Sequence, residues 1–356
     1  MTLQRLLLLL LLYPAPLFAQ DPAPPPPAPA APAATQTSQP PALKIGGLVF
    51  GDYYYFASSH DPDFEDQNGF WLRRAYLTLD HTMTHGFSGR LRLEVNGAGD
   101  MTDTRLTPFV KDAYLRWSSG SHGVLLGMSG TPSIEFIDSF WGYRFVEKTP
   151  LDLQRWDGTR DLGIAAQGTL GPGKTLNYHV MFGNGSDTGS EVNTNKTVRA
   201  AFGYRGTSGV VLEGYADWQD QPDDADRSTL QAFFGYRKPR GRIGLQYAHQ
   251  TRRLALEPAT SFDLASAFVV ARVTGRHWIL ARVDRMFEPN PNGDRIPYLP
   301  FSTEAPSTLV IVGWDILLSP NVHVGPNVEF VKYGDASGTP VRSDKVARMT
   351  FYFDWP

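Results

Sequence analysis

Arginines carry most of the chemistry that this sequence offers. Arg74, Arg90, Arg92 and Arg116 fall in successive stretches near the start, and Arg199, Arg242 and Arg282 follow further on. Each stands on the polar side of a two-residue alternation, where acids such as Asp80, Glu94, Asp112, Asp161, Glu213, Asp284 and Glu329 also stand. A guanidinium holds its charge at any physiological pH and presents a planar fork of donors suited to oxyanions. A row of them facing water is a surface that draws in anions. Set against those acids, the same row also reads as mutual neutralisation that keeps a polar interior wet.

Other chemistries find less in the residues. The 8 histidines are scattered without ligand spacing, which leaves metal and general-base roles without support. Asp61-Pro-Asp-Phe-Glu-Asp66 and the set Asp220, Asp223, Asp224 and Asp226 place oxygens at intervals that suit calcium. Neither closes a twelve-residue loop with a bidentate Glu, so both read as solvated loops. With no cysteine in the chain, disulfides, thiol nucleophiles and thiolate metal sites are excluded. A formal net charge of -3 argues against nucleic acid, which needs a concentrated basic surface. A Ser-His-acid hydrolase site could assemble across strands, yet nothing nominates one. The expectation is a protein that is not an enzyme and takes no cofactor.

The elements that must position these arginines are strands. Apolar residues recur at every second position over about sixteen stretches of roughly ten residues. In the last stretch Ala347, Met349, Phe351, Phe353 and Trp355 share one face, and Arg348, Thr350, Tyr352 and Asp354 the other. Within Gly69 to Asp80, Ala75, Leu77 and Leu79 oppose Arg74, Tyr76, Thr78 and Asp80. The next two stretches set Leu91, Leu93 and Val95 against Arg90, Arg92, Glu94 and Asn96, then Ala113, Leu115 and Trp117 against Asp112, Tyr114 and Arg116. Short turns such as Gly171-Pro-Gly173 and Ser319-Pro-Asn321 alternate with long connections near 185–195, 219–227, 253–261, 288–304 and 334–342. The connection from Thr131 to Thr159 is the longest.

This rhythm predicts an all-β fold: a transmembrane antiparallel β-barrel with short turns on the periplasmic rim and long loops outside. No apolar run reaches the twenty or so residues that a membrane helix needs, roughly. A closed sheet instead satisfies its backbone groups and hides lipid-facing residues among polar ones. A soluble sandwich or propeller also has many short strands, but a propeller repeats its sequence blade by blade and no such repeat is visible.

At the N-terminus, Arg5, the run Leu6 to Leu12 and the small residues ending at Ala19 predict a secretory signal peptide over residues 1–19. Residues 20–43 are mostly Pro and Ala and predict an extended periplasmic linker. Residues 44–356 are the expected barrel.

Phe70-Trp-Leu-Arg-Arg-Ala-Tyr-Leu-Thr-Leu-Asp80, Gly127-Met-Ser-Gly-Thr-Pro132 and Arg160-Asp-Leu-Gly-Ile-Ala-Ala-Gln-Gly168 resemble the phosphate-selective porin O and P family. The resemblance implies a homotrimeric channel of sixteen strands per subunit, whose third outer loop folds inward and whose basic side chains draw anions through. By that likeness Thr131 to Thr159 is the constriction loop, with Glu135, Asp138, Glu147, Asp152 and Asp157 beside Arg144, Lys148 and Arg155. Arg74, Arg90, Arg92 and Arg116, on strands two to four, are then the basic wall facing the loop acids. The expected function is passive passage of small hydrophilic solutes or inorganic anions such as phosphate across an outer membrane bearing lipopolysaccharide. A non-selective or cation-tolerant channel is the alternative, and a β-barrel hydrolase a more distant one. One departure stands at the end, where Pro356 follows the aromatic Trp355 on which such barrels usually finish.

Overall fold

A computed structural model describes residues 42–97, 99, 105–222, 225–254 and 257–355. The expected signal peptide, nearly all of the expected linker, Asp223, Asp224 and Pro356 lie outside the described residues.

Sixteen strands close into one barrel. In chain order they are β1 (Ala42–Ser58), β2 (Asn68–Thr82), β3 (Phe87–Asn96), β4 (Thr107–Ser119), β5 (His122–Gly130), β6 (Arg160–Leu170), β7 (Leu176–Gly183) and β8 (Thr197–Arg205). Then come β9 (Val210–Gln219), β10 (Arg227–Lys238), β11 (Gly241–Leu254), β12 (Glu257–Thr274), β13 (His277–Met286), β14 (Ser307–Ser319) and β15 (Val322–Tyr333). The short strands β16 (Asp335–Ala336) and β17 (Thr339–Pro340) form a ribbon of their own in the last long loop. The final strand, β18 (Asp344–Trp355), pairs with β15 on one side and β1 on the other, all antiparallel. Closure leaves no edge, so every strand has a ladder on both sides and the backbone is satisfied without water.

The alternation read from the sequence sets the two faces. Leu77, Leu93, Leu115, Leu126, Phe202, Met349 and Phe353 are exposed on the outside, while Tyr76, Glu94, Asp112, Arg199, Arg348 and Thr350 are buried within. An apolar exterior around a polar interior is the reverse of a soluble protein and suits a hydrocarbon surrounding.

Three local departures matter. β1 starts at Ala42, which pairs with Thr82, so the last two residues of the expected linker already belong to the sheet. The expected loop at 253–261 is mostly strand, because the β11–β12 ladder continues through Thr251 opposite Ser261 and Arg252 opposite Thr260. Polar composition at that hairpin marks the strands as rising beyond the apolar belt rather than ending. The third departure is a pair of bulges. Phe50 pairs with Arg74 but Gly51 with Leu72, leaving Arg73 extra; Arg92 pairs with Asp112 but Leu93 with Val110, leaving Lys111 extra. A bulge turns one more side chain toward the face its neighbour occupies. Gly51 permits the first, since a Cβ there would stand 2.0 Å from the Trp71 carbonyl oxygen.

Leu126 is the central residue of β5 and 62% exposed. Leu126→Arg is expected to lower unfolding free energy in lipid vesicles by about 2–4 kcal/mol, the cost of a cation on the lipid face near the bilayer midplane. Denaturant titration of vesicle-inserted protein followed by tryptophan fluorescence measures it, and a loss near zero contradicts the assignment of faces.

Candidate functional site: a folded-in loop between two cavities

The connection 131–159 is a folded insert. Its neck is closed by the Thr131 amide donating to the Thr159 carbonyl at 3.2 Å and the Thr131 hydroxyl to the Gly158 carbonyl at 2.7 Å. Within it, α1 (Glu135–Trp141) ends on Gly142 at φ 69, the left-handed cap that glycine adopts without penalty. A second turn of helix, α2 (Pro150–Leu153), begins on proline, whose missing amide costs nothing there. Ile137, Phe140, Trp141, Val146 and Leu153 are buried against inward-facing Phe233, Phe268, Val270, Leu280, Ile311 and Val346. The loop therefore lies inside the barrel, packed on an apolar sector of its wall.

Two of the expected anion-attracting arginines secure this packing. Arg242 donates twice to the Trp141 carbonyl, at 3.1 and 2.6 Å, and Arg282 sits 5.2 Å from the Trp141 ring centre while gripping Asp284. Neither lines the two cavities described below.

Arg73, which strict alternation places on the lipid face, proves central. Its guanidinium donates to Glu147 at 3.1 Å, the Val146 carbonyl at 2.8 Å and Asp52 at 3.5 Å. Arg348 reaches the same Asp52, pairs with Glu329 at 3.1 Å and donates to the Tyr298 carbonyl at 2.9 Å. Tyr298 belongs to the connection 287–306, which also enters the barrel: Ile296, Leu299 and Phe301 are buried there with the loop 131–159. The Tyr298 amide donates to the Gly99 carbonyl at 2.7 Å and its hydroxyl to the Arg73 carbonyl at 3.2 Å. Its φ of 70 is uncommon for a bulky residue, and the surrounding contacts hold it there. Sequence reasoning missed Arg73, Lys111 and this second inserted loop. The available signal for the loop was its apolar content, Ile296, Tyr298, Leu299 and Phe301, in a connection too long to be a plain linker.

Space remains against the other sector of the wall. A cavity of about 320 Å³ on the long-loop side is lined by Arg74, Lys111, Arg144, Lys148, Arg155, Arg199 and Arg227, with Glu94, Asp152, Asp157 and Asp187. Seven cations thus face four carboxylates. Glu94 binds Arg74 and Lys111; Asp157 and Asp161 bind Arg199; Asp138 and Asp152 bind Arg144. Lys148, Arg155 and Arg227 make no ion pair among the described residues. Burial pushes the Lys148 ammonium down to about 8, against the opposing pull of Asp152.

A second cavity of about 670 Å³ lies toward the short-turn rim and includes Arg116, Arg205, Arg237, Glu135 and Glu213. The two share no lining residue, and the insert borders both. On β4, the inward positions between Lys111 of the first and Arg116 of the second are Asp112 and Tyr114; Asp112 is held by Arg92 and Arg160. Of the expected basic wall, then, Arg74 borders the first cavity and Arg116 the second. Arg90 and Arg92 are paired with Asp80 and Asp112. Among the expected loop residues, Arg144, Lys148, Asp152 and Arg155 line the first cavity, Glu135 the second, and Asp138 is taken up by Arg144 and Thr149.

No protein-family model matches the chain, and none of the curated proteins does. Among solved structures it is similar to an anion-selective porin from Comamonas acidovorans, with a TM-score of 0.67 at 12% identity over 89% of this chain and 100% of that one. It is also similar to the trimer form of OmpT, an outer membrane protein of Vibrio cholerae, with a TM-score of 0.64 at 10% identity over 89% and 100%. The outer membrane channel DcaP of Acinetobacter baumannii gives 0.63 at 13% identity over 88% and 97%. At such identities the likeness is one of fold.

Arg73→Met leaves Glu147 buried without its cation and is expected to cost about 3–5 kcal/mol, with faster protease cleavage within 131–159. Arg90→Met, at a half-exposed pair, is expected to cost under about 1 kcal/mol. Denaturant titration and limited proteolysis of the two variants side by side read the difference.

Proposed function

We propose that the protein is an outer-membrane porin, a passive diffusion channel for small hydrophilic solutes with a preference for anions. The observation that carries this reading is the first cavity, where Lys148 and Arg155 of the folded-in loop and Arg227 of β10 have no ion-pair partner among the described residues. Selectivity follows the charge at the narrow part of a path rather than the net charge of the protein. Sixteen strands enclose more than side chains alone can fill, so a barrel of this size conducts unless plugged. A homotrimer in a lipopolysaccharide-bearing membrane, with the linker on the periplasmic side, is the assembly that fits the barrel and the resemblance in sequence. Phosphate remains one candidate among inorganic anions, since no dense lysine cluster singles it out.

The hydrolase alternative has one feature in its favour. Thr251 Oγ1 lies 3.4 Å from His249 Nε2, and His249 Nδ1 lies 2.8 Å from Asp263 on the neighbouring strand. An acyl-transfer site also needs free donors for the oxyanion, and the backbone amides here are engaged in the β10–β11 and β11–β12 ladders. The non-enzymatic reading is therefore preferred.

Planar-bilayer recording under a potassium chloride gradient tests the channel. A reversal potential of chloride sign is expected, and a potassium-selective pore contradicts the anion preference. Because Lys148 is an ammonium below about pH 8 and neutral above it, the chloride preference is expected to fall between pH 7 and 9. Lys148→Gln is expected to give the weaker preference at both pH values and to abolish the step.

A further inference from the structure

The cavity nearer the short-turn rim differs in kind from the first. Glu213 on β9 lines it, is only 8% exposed, and its Oε1 has no hydrogen-bond partner. Nearly every other acid buried in the barrel is matched: Glu94, Asp112, Asp157, Asp161, Asp284 and Glu329 each have a cation within 4 Å. A carboxyl group left this way lacks a partner, and a cation or donor brought by a ligand supplies one.

Two cations flank it. Arg205 on β8 and Arg237 on β10 lie on the strands to either side of β9, nearer the short-turn rim. Arg205 rests 4.1 Å from the Phe136 ring centre and Arg237 4.4 Å from that of Phe140, both rings supplied by α1. Stacking fixes the guanidinium planes. Arg205 also donates to the Asn177 side-chain oxygen at 3.1 Å and Arg237 to the Phe140 carbonyl at 3.0 Å, each through one nitrogen, and neither has a carboxylate within ion-pair distance among the described residues. The cavity thus holds a buried acid and two arginines with no ion pair between them, beside Arg116, His179 and Glu135. Its volume of about 670 Å³ falls in the range of small-molecule sites.

Resting on the channel reading above, we propose that this cavity is a subsite for small zwitterions, solutes of amino-acid or short-peptide type. The solute carboxylate bridges Arg205 and Arg237, and its ammonium meets Glu213. An anion alone satisfies only the arginines, and a neutral solute satisfies neither pole.

Proteoliposomes of the purified full-length channel test this with three probes of similar size: alanine as zwitterion, lactamide as neutral solute and lactate as anion. Alanine entry at low concentration is expected to exceed lactamide entry about tenfold, the scale of one charge-assisted hydrogen bond. Glu213→Gln is expected to lower the alanine-to-lactamide ratio several-fold while the lactate-to-lactamide ratio is unchanged. That substitution keeps the size and polarity of the side chain and breaks no ion pair, so folding is not put at risk. Arg237→Gln is expected to slow alanine and lactate alike. Equal alanine and lactamide rates in the unaltered protein, or a ratio indifferent to Glu213→Gln, overturn the subsite while leaving the channel standing. If none of the three enters, the channel reading itself fails.

Discussion

The interior arrangement depends on one guanidinium. Arg73 leaves the wall at a bulge and binds the carbonyl of Val146, the carboxylate of Glu147 and, through its own backbone, the hydroxyl of Tyr298. It thereby joins a strand to two loops that enter the barrel from different parts of the chain. Remove the bulge and the side chain points into lipid, where it has no partner and a large desolvation cost. Through that local irregularity in β2 the Val146–Glu147 segment of the insert and the connection 287–306 are tied to the same point of the wall.

Around this link the barrel divides its wall. One sector, built from β10, β12, β13, β14, β15 and β18, turns apolar residues inward and receives the loop side chains as a core. The other sector, β3 to β9 with Arg74 of β2 and Arg227 and Arg237 of β10 at its margins, turns charges inward and borders the space. An apolar inner face is stable only because the loops cover it; exposed to water it would be a cost of about 25 cal/mol for each Å². Loop insertion and an off-centre path are two results of one distribution of residues.

Much of the fold was legible in the sequence because strand alternation is a strict period of two. The outward Leu77, Leu93, Leu115 and Met349 and the inward Glu94, Asp112 and Arg348 lie where that period puts them. The same strictness explains the failures. A period of two cannot register an extra residue, so Arg73 and Lys111 were invisible as lumen groups. Nor does it say what an inward arginine will meet: Arg242 and Arg282 obey the alternation and yet hold a tryptophan of the loop. The apolar sector did leave a trace in Ala267-Phe-Val-Val270 and Leu309-Val-Ile-Val312, where both parities are apolar. A strand greasy on both faces has protein on one side and lipid on the other.

The division of the wall also bears on how such a chain changes over generations. Residues of β10 and β12 to β15 are constrained twice, by lipid outside and by the inserted loops inside, and substitution there is paid in assembly. Positions on β3 to β9 answer to lipid outside and, where they border the cavities, to water and solute inside, although Arg199 and Arg205 also hold residues of the insert. Selection can therefore rewrite the cations of that sector that have no ion-pair partner among the described residues, such as Arg116, one at a time, and the buried pairs only two at a time. It can so redirect what the cell admits while the barrel that carries them is inherited unaltered.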